Sequence, residues 1–125
     1  MIVLKKETDS TAIAKICETQ GLEYNENVGA FVAKDREEIL GYSLFSVKED
    51  LTLIDIETSP ILWKSIGDGL FRATINFAIE NGISPVKIED KLLEKLTGDI
   101  ILKENAKPVI EDCEKFLQES KRCAR

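Results

Sequence analysis

The fold of this chain is decided by the stretch Ser65-Ile66-Gly67-Asp68-Gly69-Leu70-Phe71-Arg72-Ala73. It follows a strand-like run at residues 51–58 and opens a helical pattern that closes at Asn81-Gly82. A strand that ends in a turn of small residues and then opens a helix leaves several backbone N–H groups without internal partners, at the positive end of the helix dipole. The turn at residues 65–69 is therefore a candidate seat for a phosphate. The alternative is an ordinary strand-to-helix connection in which Ser65 or Asp68 caps the helix.

The helix after this turn has the clearest pattern in the chain. Arg72, Asn76 and Glu80 recur every four positions, outside a broad apolar face. This spacing predicts an amphipathic helix that packs on the neighbouring strands. The apolar face consists of Leu70, Phe71, Thr74, Ile75, Phe77 and Ala78.

Length and composition indicate one globular domain over residues 1–125, with 43% hydrophobic residues for its core. The chain has 23 acidic against 17 basic side chains, a net charge of −6, which argues against a nucleic-acid surface. It holds no run of about 18 apolar residues, so no membrane span is expected. Its three cysteines form neither a disulfide framework nor a metal-ligand spacing, and we expect a cytoplasmic protein with reduced thiols.

The chain contains no histidine. This absence excludes Ser-His and Cys-His nucleophile activation and removes the usual ligands of zinc hydrolases. Catalysis would have to use carboxylates, tyrosine, cysteine, lysine or backbone groups, and no metal is expected.

The first part of the chain predicts a strand at Ile2–Lys6 and a helix capped by Asp9 or Ser10 that ends at Gly21. Ile13, Ile16 and Cys17 share one face of that helix. Three further strands are predicted at 29–34, 39–47 and 51–58. Short charged links join them, and such links favour antiparallel hairpins.

The last part of the chain predicts smaller elements. Residues 83–89 resemble a strand that Pro85 restricts to a sheet edge or a strand start. A short helix follows at 90–96, and a last strand is expected at 99–103. Pro108 then opens a final helix with Val109, Ile110, Cys113, Phe116 and Leu117 on one face.

The order of strand, hairpin, strand, glycine turn and long helix resembles the GNAT superfamily of acetyl-CoA-dependent N-acyltransferases, from about Gly29 to Gly82. The Thr58-Ser59-Pro60 segment lies where that family often has Val-x-Pro at the end of its fourth strand. The chain departs from the family's glycine motif, since Ser65 replaces the first glycine and Leu62 replaces the usual Arg or Gln.

The resemblance implies an α+β fold with a central, mostly antiparallel mixed sheet flanked by helices, here shortened at both ends. It also implies acetyl-CoA as co-substrate. Loop amides would hold the pyrophosphate, and the end of the fourth strand would pair with the pantetheine chain. The implied loop contributors are Lys64, Ser65, Ile66, Gly67, Asp68 and Gly69. The implied strand contributors are Ile56, Glu57 and Thr58.

Two carboxylates are candidates for catalysis. Asp55 and Glu57 alternate onto one face of the fourth strand, and a carboxylate there could take a proton from an amine. The alternative is a solvated strand face without a catalytic role. The family's usual general acid is a tyrosine before Gly-Phe, and the nearest segment here, residues 91–98, contains no tyrosine.

The resemblance thus implies an N-acetyltransferase that works by direct attack of an amine on the thioester. Its acceptor would be a small-molecule or peptide amine, with no nucleic acid and no membrane as partner. A non-catalytic CoA-binding or protein-interaction domain of the same fold is the alternative. A sheet without its last strands also exposes an edge that could pair with another chain in a homodimer.

Overall fold

In the residues that it describes, a computed structural model has one six-stranded sheet and four α-helices. It describes residues 1–99, 101–103 and 106–123, and the side chains of these up to residue 119. The strands lie in sequence order across the sheet. They are β1 (Ile2–Lys6), β2 (Val28–Asp35), β3 (Glu38–Val47), β4 (Leu51–Thr58), β5 (Val86–Ile88) and β6 (Val109–Ile110). The helices are α1 (Ser10–Thr19), α2 (Asp68–Glu80), α3 (Asp90–Gly98) and α4 (Cys113–Cys123).

All neighbouring strands are antiparallel except β4 and β5, which are parallel. This topology confirms the predicted α+β fold with a mixed, mostly antiparallel sheet. The short links of the two central hairpins explain the antiparallel pairs, because they leave no room for a crossover. The β4–β5 connection contains α2 and is long enough to return the chain in the parallel direction.

The helices cover both faces of the sheet. Ile13, Ile16 and Cys17 of α1 pack on one face against Ala30, Val32 and Leu44, as their spacing predicted. The larger core lies on the other face, where α2, α3 and the start of α4 pack over β3, β4 and β5. Asp9 caps α1 by accepting a hydrogen bond from the Thr11 N–H at 2.9 Å.

A β-bulge interrupts β4 next to its middle. Leu53 pairs with Phe45 and Asp55 pairs with Leu44, so Ile54 has no partner in β3. The extra residue reverses the alternation of side chains along the strand. Leu53 and Ile56 therefore both belong to the larger core, although three positions separate them.

The start of the long helix differs from the predicted tight turn at residues 65–69. Helical backbone already begins in a 3₁₀ turn at Pro60–Leu62 and continues through a π-helical turn at Trp63–Gly67 into α2. Gly67 and Asp68 both have right-handed helical dihedral angles, and the Asp68 N–H donates to the Ser65 carbonyl. Neither Ser65 nor Asp68 caps the helix, because helical backbone already begins at Pro60, five residues before Ser65.

Two predictions about the C-terminal part are wrong. Of residues 99–103, those that the structure describes form no strand, and the last strand is instead β6 at Val109–Ile110. These two β-branched residues pair with Val86 and Lys87 rather than opening a helix after Pro108. Helix α4 begins only at Cys113, after Asp112, whose carboxylate accepts a hydrogen bond from the Lys115 N–H.

Candidate active site

The candidate site lies where β4 loses one of its two neighbours. β5 pairs with β4 only over Leu51–Leu53, and the last backbone bond of this side joins the Glu89 N–H to the Leu53 carbonyl at 3.0 Å. The chain then turns away into α3. Beyond Leu53, β4 keeps β3 on one side, and its other side opens at a groove.

This groove has a volume of about 270 Å³ and lies between the end of β4, the first helical turn and α3. Its walls combine backbone and side chains of the strand with two carboxylates, one ammonium and one indole. The lining residues are Ile56, Glu57, Thr58, Pro60, Trp63, Lys95 and Asp99. All three strand residues that the resemblance implied for pantetheine binding thus lie at one groove.

Lys95 of α3 is at the centre of the polar contacts of the groove. Its Nζ donates to Glu57 Oε1 at 2.6 Å, to Asp55 Oδ1 at 3.0 Å and to the Ile56 carbonyl oxygen at 3.0 Å. It also lies 5.7 Å from the centre of the Trp63 ring, within the range of a cation–π contact. One ammonium group thus bridges the two candidate catalytic carboxylates and the open side of β4.

Asp55 is completely buried, so the alternative of a solvated strand face is wrong for this residue. Its second oxygen accepts a hydrogen bond from Gln20 Nε2 at 3.0 Å and lies 3.4 Å from Lys91 Nζ. The same Gln20 nitrogen donates to the hydroxyl of Tyr42 at 2.8 Å. Glu57 differs, because 43% of its side chain is exposed.

Asp55 and Lys95 each stabilise the ionised form of the other. Burial alone would raise the pKa of the Asp55 carboxyl, but its contact with Glu57, the adjacent Lys95 ammonium and a hydrogen bond from the Ile56 backbone together outweigh burial and hold that pKa below its usual value. Burial alone would lower the pKa of Lys95, and its hydrogen bonds to Glu57 and Asp55 raise it instead. Both groups are therefore ionised at neutral pH, which makes Asp55 an anchor for a cation rather than a ready proton acceptor.

The glycine at the helix start serves the packing of Trp63. A Cβ atom on Gly67 would lie 2.8 Å from Cε3 of the Trp63 ring, which is too close for a real contact. The indole Nε1 is buried and has no hydrogen-bond partner in the described part of the chain. Trp63 is therefore held between the helix backbone and the groove, with one unused donor.

The residues predicted to hold the pyrophosphate lie on two sides of the helix start. Lys64 and Ser65 are exposed, whereas Ile66 and Gly67 are buried. The Asp68 carboxylate is 3.0 Å from Arg72 Nε, an ion pair that offsets its negative charge. A sixth member of the predicted set, Gly69, faces Leu4 of β1, whose side chain would be 3.5 Å from an added Cβ.

Sequence reasoning missed Lys95 and Gln20 as members of the site. Residues 91–98, the segment nearest to the family's general-acid position, contain no tyrosine, and Lys95 of that segment is the residue that reaches β4. A usable signal existed, because Lys91 and Lys95 are four residues apart on a helix whose Leu92 and Leu96 are buried. Nothing local to Gln20 indicates that it reaches Asp55.

Two kinds of feature are absent from the described residues. None of their helices has the length and apolar character needed to cross a membrane. Within residues 1–99, 101–103 and 106–119, no three His, Cys, Asp or Glu side chains form a group that could hold a metal ion.

Comparison with known proteins supports the fold. Neither a protein-family model nor a curated protein matches the chain. Among solved structures, an aminoglycoside acetyltransferase from an uncultured soil metagenomic sample, in complex with trehalose, aligns with 17% identity and a TM-score of 0.64. The alignment covers 89% of this chain and 93% of that one.

Two other solved structures are similar to the chain in fold. A protein assigned to the GNAT family of acetyltransferases, from Desulfovibrio desulfuricans, aligns at 12% identity over 70% of this chain and 72% of its own, with a TM-score of 0.52. YhhK from E. coli, solved bound to coenzyme A, aligns at 12% identity over 80% and 84%, with a TM-score of 0.54. The resemblance to the GNAT superfamily is thus confirmed at the level of the fold.

Proposed function

We propose that this chain, which has the GNAT fold, binds acetyl-CoA along the open side of β4 and transfers the acetyl group to an amine. The observation that carries the proposal is the loss of β5 after Leu53, directly before the bulge-shifted segment that ends in the groove. A strand with one free side can accept an extended ligand that carries amide groups, as in β-augmentation. The pantetheine arm of CoA has this chemistry.

The backbone of Ile56 is suited to polarise the thioester carbonyl. Its C=O points away from β3, since it accepts from Lys95 at 3.0 Å. A residue in an antiparallel ladder directs its N–H and its C=O to the same side, so the Ile56 N–H is directed to that side as well, where it also interacts with the Asp55 carboxylate. A fixed backbone donor of this kind stabilises the negative charge that develops on the carbonyl oxygen during attack.

The reaction needs no covalent enzyme intermediate. The neutral amine nitrogen attacks the thioester carbon, a C–N bond forms, and the C–S bond breaks. The acceptor binds as an ammonium ion and loses two protons in all. The CoA thiolate that leaves takes up one of them. We assign the other to Glu57, because its half-exposed carboxylate can pass it on to solvent. Asp55 holds positive charge in place throughout.

The pyrophosphate is expected near the start of the helical segment. The predicted contributors at residues 64–69 remain a prediction, with Lys64 and Ser65 as the exposed members. Asp68 does not oppose an anion as a free carboxylate would, because Arg72 pairs with it. Because helical backbone begins at Pro60, the positive end of the dipole lies directly before Lys64 and Ser65.

Release of free CoA thiol tests transfer directly. The wild-type chain is incubated with acetyl-CoA and a panel of acceptors: primary alkyl amines, a polyamine, an aminoglycoside and a peptide with a free amino terminus. We expect amine-dependent thiol release for one class, and a Glu57→Gln variant that is slower by about 100-fold at unchanged CoA affinity. Glu94→Gln, on an exposed residue of α3, is the matched control and keeps the wild-type rate.

A non-catalytic CoA-binding domain is the second candidate. Two observations favour it: Lys95 donates a hydrogen bond to the Ile56 carbonyl, and neither Tyr24 nor Tyr42 lines the groove. Tyr42 accepts from Gln20, and Tyr24 is in an exposed loop. Saturable CoA binding with no thiol release for any acceptor would favour this second candidate.

A further inference from the structure

The groups around Lys95 Nζ have the composition of a binding site for a primary ammonium ion. Two carboxylates and one carbonyl oxygen accept its three available protons at 2.6 to 3.0 Å. The face of the Trp63 ring, 5.7 Å away, adds the aromatic surface that attracts a cation. An ammonium group has three donors and no acceptor, so each of its hydrogens is used.

Two features separate this arrangement from an ordinary surface ion pair. Asp55 is completely buried and is fixed by Gln20, so its orientation does not depend on Lys95 alone. The Lys95 side chain lines the groove of about 270 Å³ and remains 31% exposed. Asp55 itself does not line the groove, so the Lys95 side chain separates its buried carboxylate from solvent and from small molecules.

We infer that Asp55, Glu57, the Ile56 carbonyl and Trp63 form a primary-ammonium site, which Lys95 fills from within the chain and which an external alkyl amine can occupy in its place. The inference rests on the proposed function for its consequence: the acceptor is a primary alkyl amine, and Lys95 competes with it. The amine would then lie beside Ile56, whose N–H is assigned to the thioester carbonyl.

Chemical rescue of Lys95→Ala tests the site without acetyl-CoA. The substitution removes Cγ, Cδ, Cε and Nζ, and n-propylammonium has the same three carbons and one nitrogen. The thermal midpoint of the variant is measured against increasing n-propylammonium chloride, with sodium chloride at equal ionic strength as reference. We expect a saturable rise of about 3 °C or more. Tetramethylammonium, which has no N–H donor, should give no such rise.

Lys91→Ala is the matched control, because it removes the same charge from the same helix and from the same carboxylate. Its Nζ lies 3.4 Å from Asp55, but its side chain is 64% exposed and does not line the groove. We expect no rescue of this variant. Equal responses of the two variants, or equal effects of n-propylammonium and tetramethylammonium on Lys95→Ala, would overturn the inference.

Lys95→Ala could also fail to fold in buffer, since it leaves Asp55 without its main partner. The same titration is then run as refolding from urea, with recovery of far-UV circular dichroism as the signal. Recovery with n-propylammonium and not with tetramethylammonium supports the site. Failure of both amines to restore folding contradicts it.

The two proposals fail in different ways. Rescue by n-propylammonium without any CoA binding would leave the ammonium site in place and remove the transferase. CoA binding without rescue would do the reverse. If both hold, Lys95→Ala should release CoA thiol with n-propylamine faster than the wild-type chain does, because the competing internal amine is gone.

Discussion

The ammonium nitrogen of Lys95 lies 3.0 Å from Oδ1 of Asp55, a carboxylate with no exposed surface. This contact joins α3 to the part of β4 that has lost β5 as a neighbour. A buried carboxylate is stable in its charged form only with a fixed cation beside it. The pair therefore supports both the stability of this end of the sheet and the groove at which we place the site.

Loss of the lysine charge should destabilise the chain more than loss of the aspartate charge. Lys95→Met leaves the buried Asp55 with the exposed Lys91 ammonium, 3.4 Å away, as its remaining cation, and we expect a loss of about 3 kcal/mol in the free energy of unfolding. Asp55→Asn keeps the shape and leaves Lys95 with Glu57, so about 1 to 2 kcal/mol is expected. Urea unfolding of both variants measures the two losses.

The double variant Lys95→Met/Asp55→Asn serves as the control for this pair. Because the two side chains interact directly, the combined loss should be smaller than the sum of the single losses. Additive losses would mean that the contact does not couple them.

The Asp55–Lys95 pair should make the free energy of unfolding depend on pH at both the acid and the alkaline end of the range. The pKa of Asp55 is lowered in the folded chain, so its contribution is present above the unfolded value of about 3.9 and is lost as the pH falls through the folded value. The pKa of Lys95 is raised, so its contribution is present below about 10.4 and is lost as the pH rises through the folded value. Urea midpoints measured from pH 3 to 11 check both limbs.

Asp55→Asn separates this pair from the other charged groups. It should flatten the acid limb of the profile, because the group that gains a proton there is removed. An acid limb as steep as that of the wild-type chain would show that other carboxylates cause it.

The two glycines of the helix start should respond in opposite ways. Gly67→Val forces Trp63 away from the helix, because even a Cβ would lie 2.8 Å from its ring. We expect a loss of about 2 kcal/mol and a red shift of the fluorescence of Trp63, the single tryptophan of the chain. Gly69→Ala meets Leu4 at an ordinary 3.5 Å, so it should be tolerated or stabilise the helix by about 0.5 to 1 kcal/mol.

Gly41 in β3 should determine how closely the end of β4, which lines the groove, packs against β3. A Cβ on Gly41 would lie 2.7 Å from the Glu57 carbonyl oxygen and 2.7 Å from Cγ2 of Thr58. Gly41→Ala should therefore displace the end of β4 and weaken CoA binding by about tenfold or more. Fluorescence titration of the variant measures the change.

Gly98→Ala is the control for this substitution, because an added Cβ at that end of α3 meets no atom within 4 Å. It should bind CoA as the wild-type chain does. Equal affinities for Gly41→Ala and the wild-type chain would place the CoA site away from the end of β4.

Much of the fold could be predicted because local patterns decide it. The hairpins follow from short charged links, and α1 follows from its cap at Asp9 and its apolar face. The strand at Val109–Ile110 could not be predicted in this way, since its two residues gain their partners only from β5. A two-residue strand has no period that a sequence can display.

The site could be predicted only in part, for a related reason. Asp55 and Glu57 share a face of one strand, so their proximity follows from the alternation of side chains. Lys95 reaches them from 38 and 40 positions away along the chain. Contacts at such separation depend on how α3 packs, and the spacing of Lys91 and Lys95 indicates a shared helix face without indicating which strand residues it meets.

Isothermal titration of the wild-type chain with CoA and acetyl-CoA tests the central claim most directly. We predict saturable binding of either molecule with a dissociation constant below about 1 mM, accompanied by a change in Trp63 fluorescence, because Trp63 lines the groove at the end of β4. The absence of heat and of any fluorescence change up to several millimolar, about five times that limit, would contradict it.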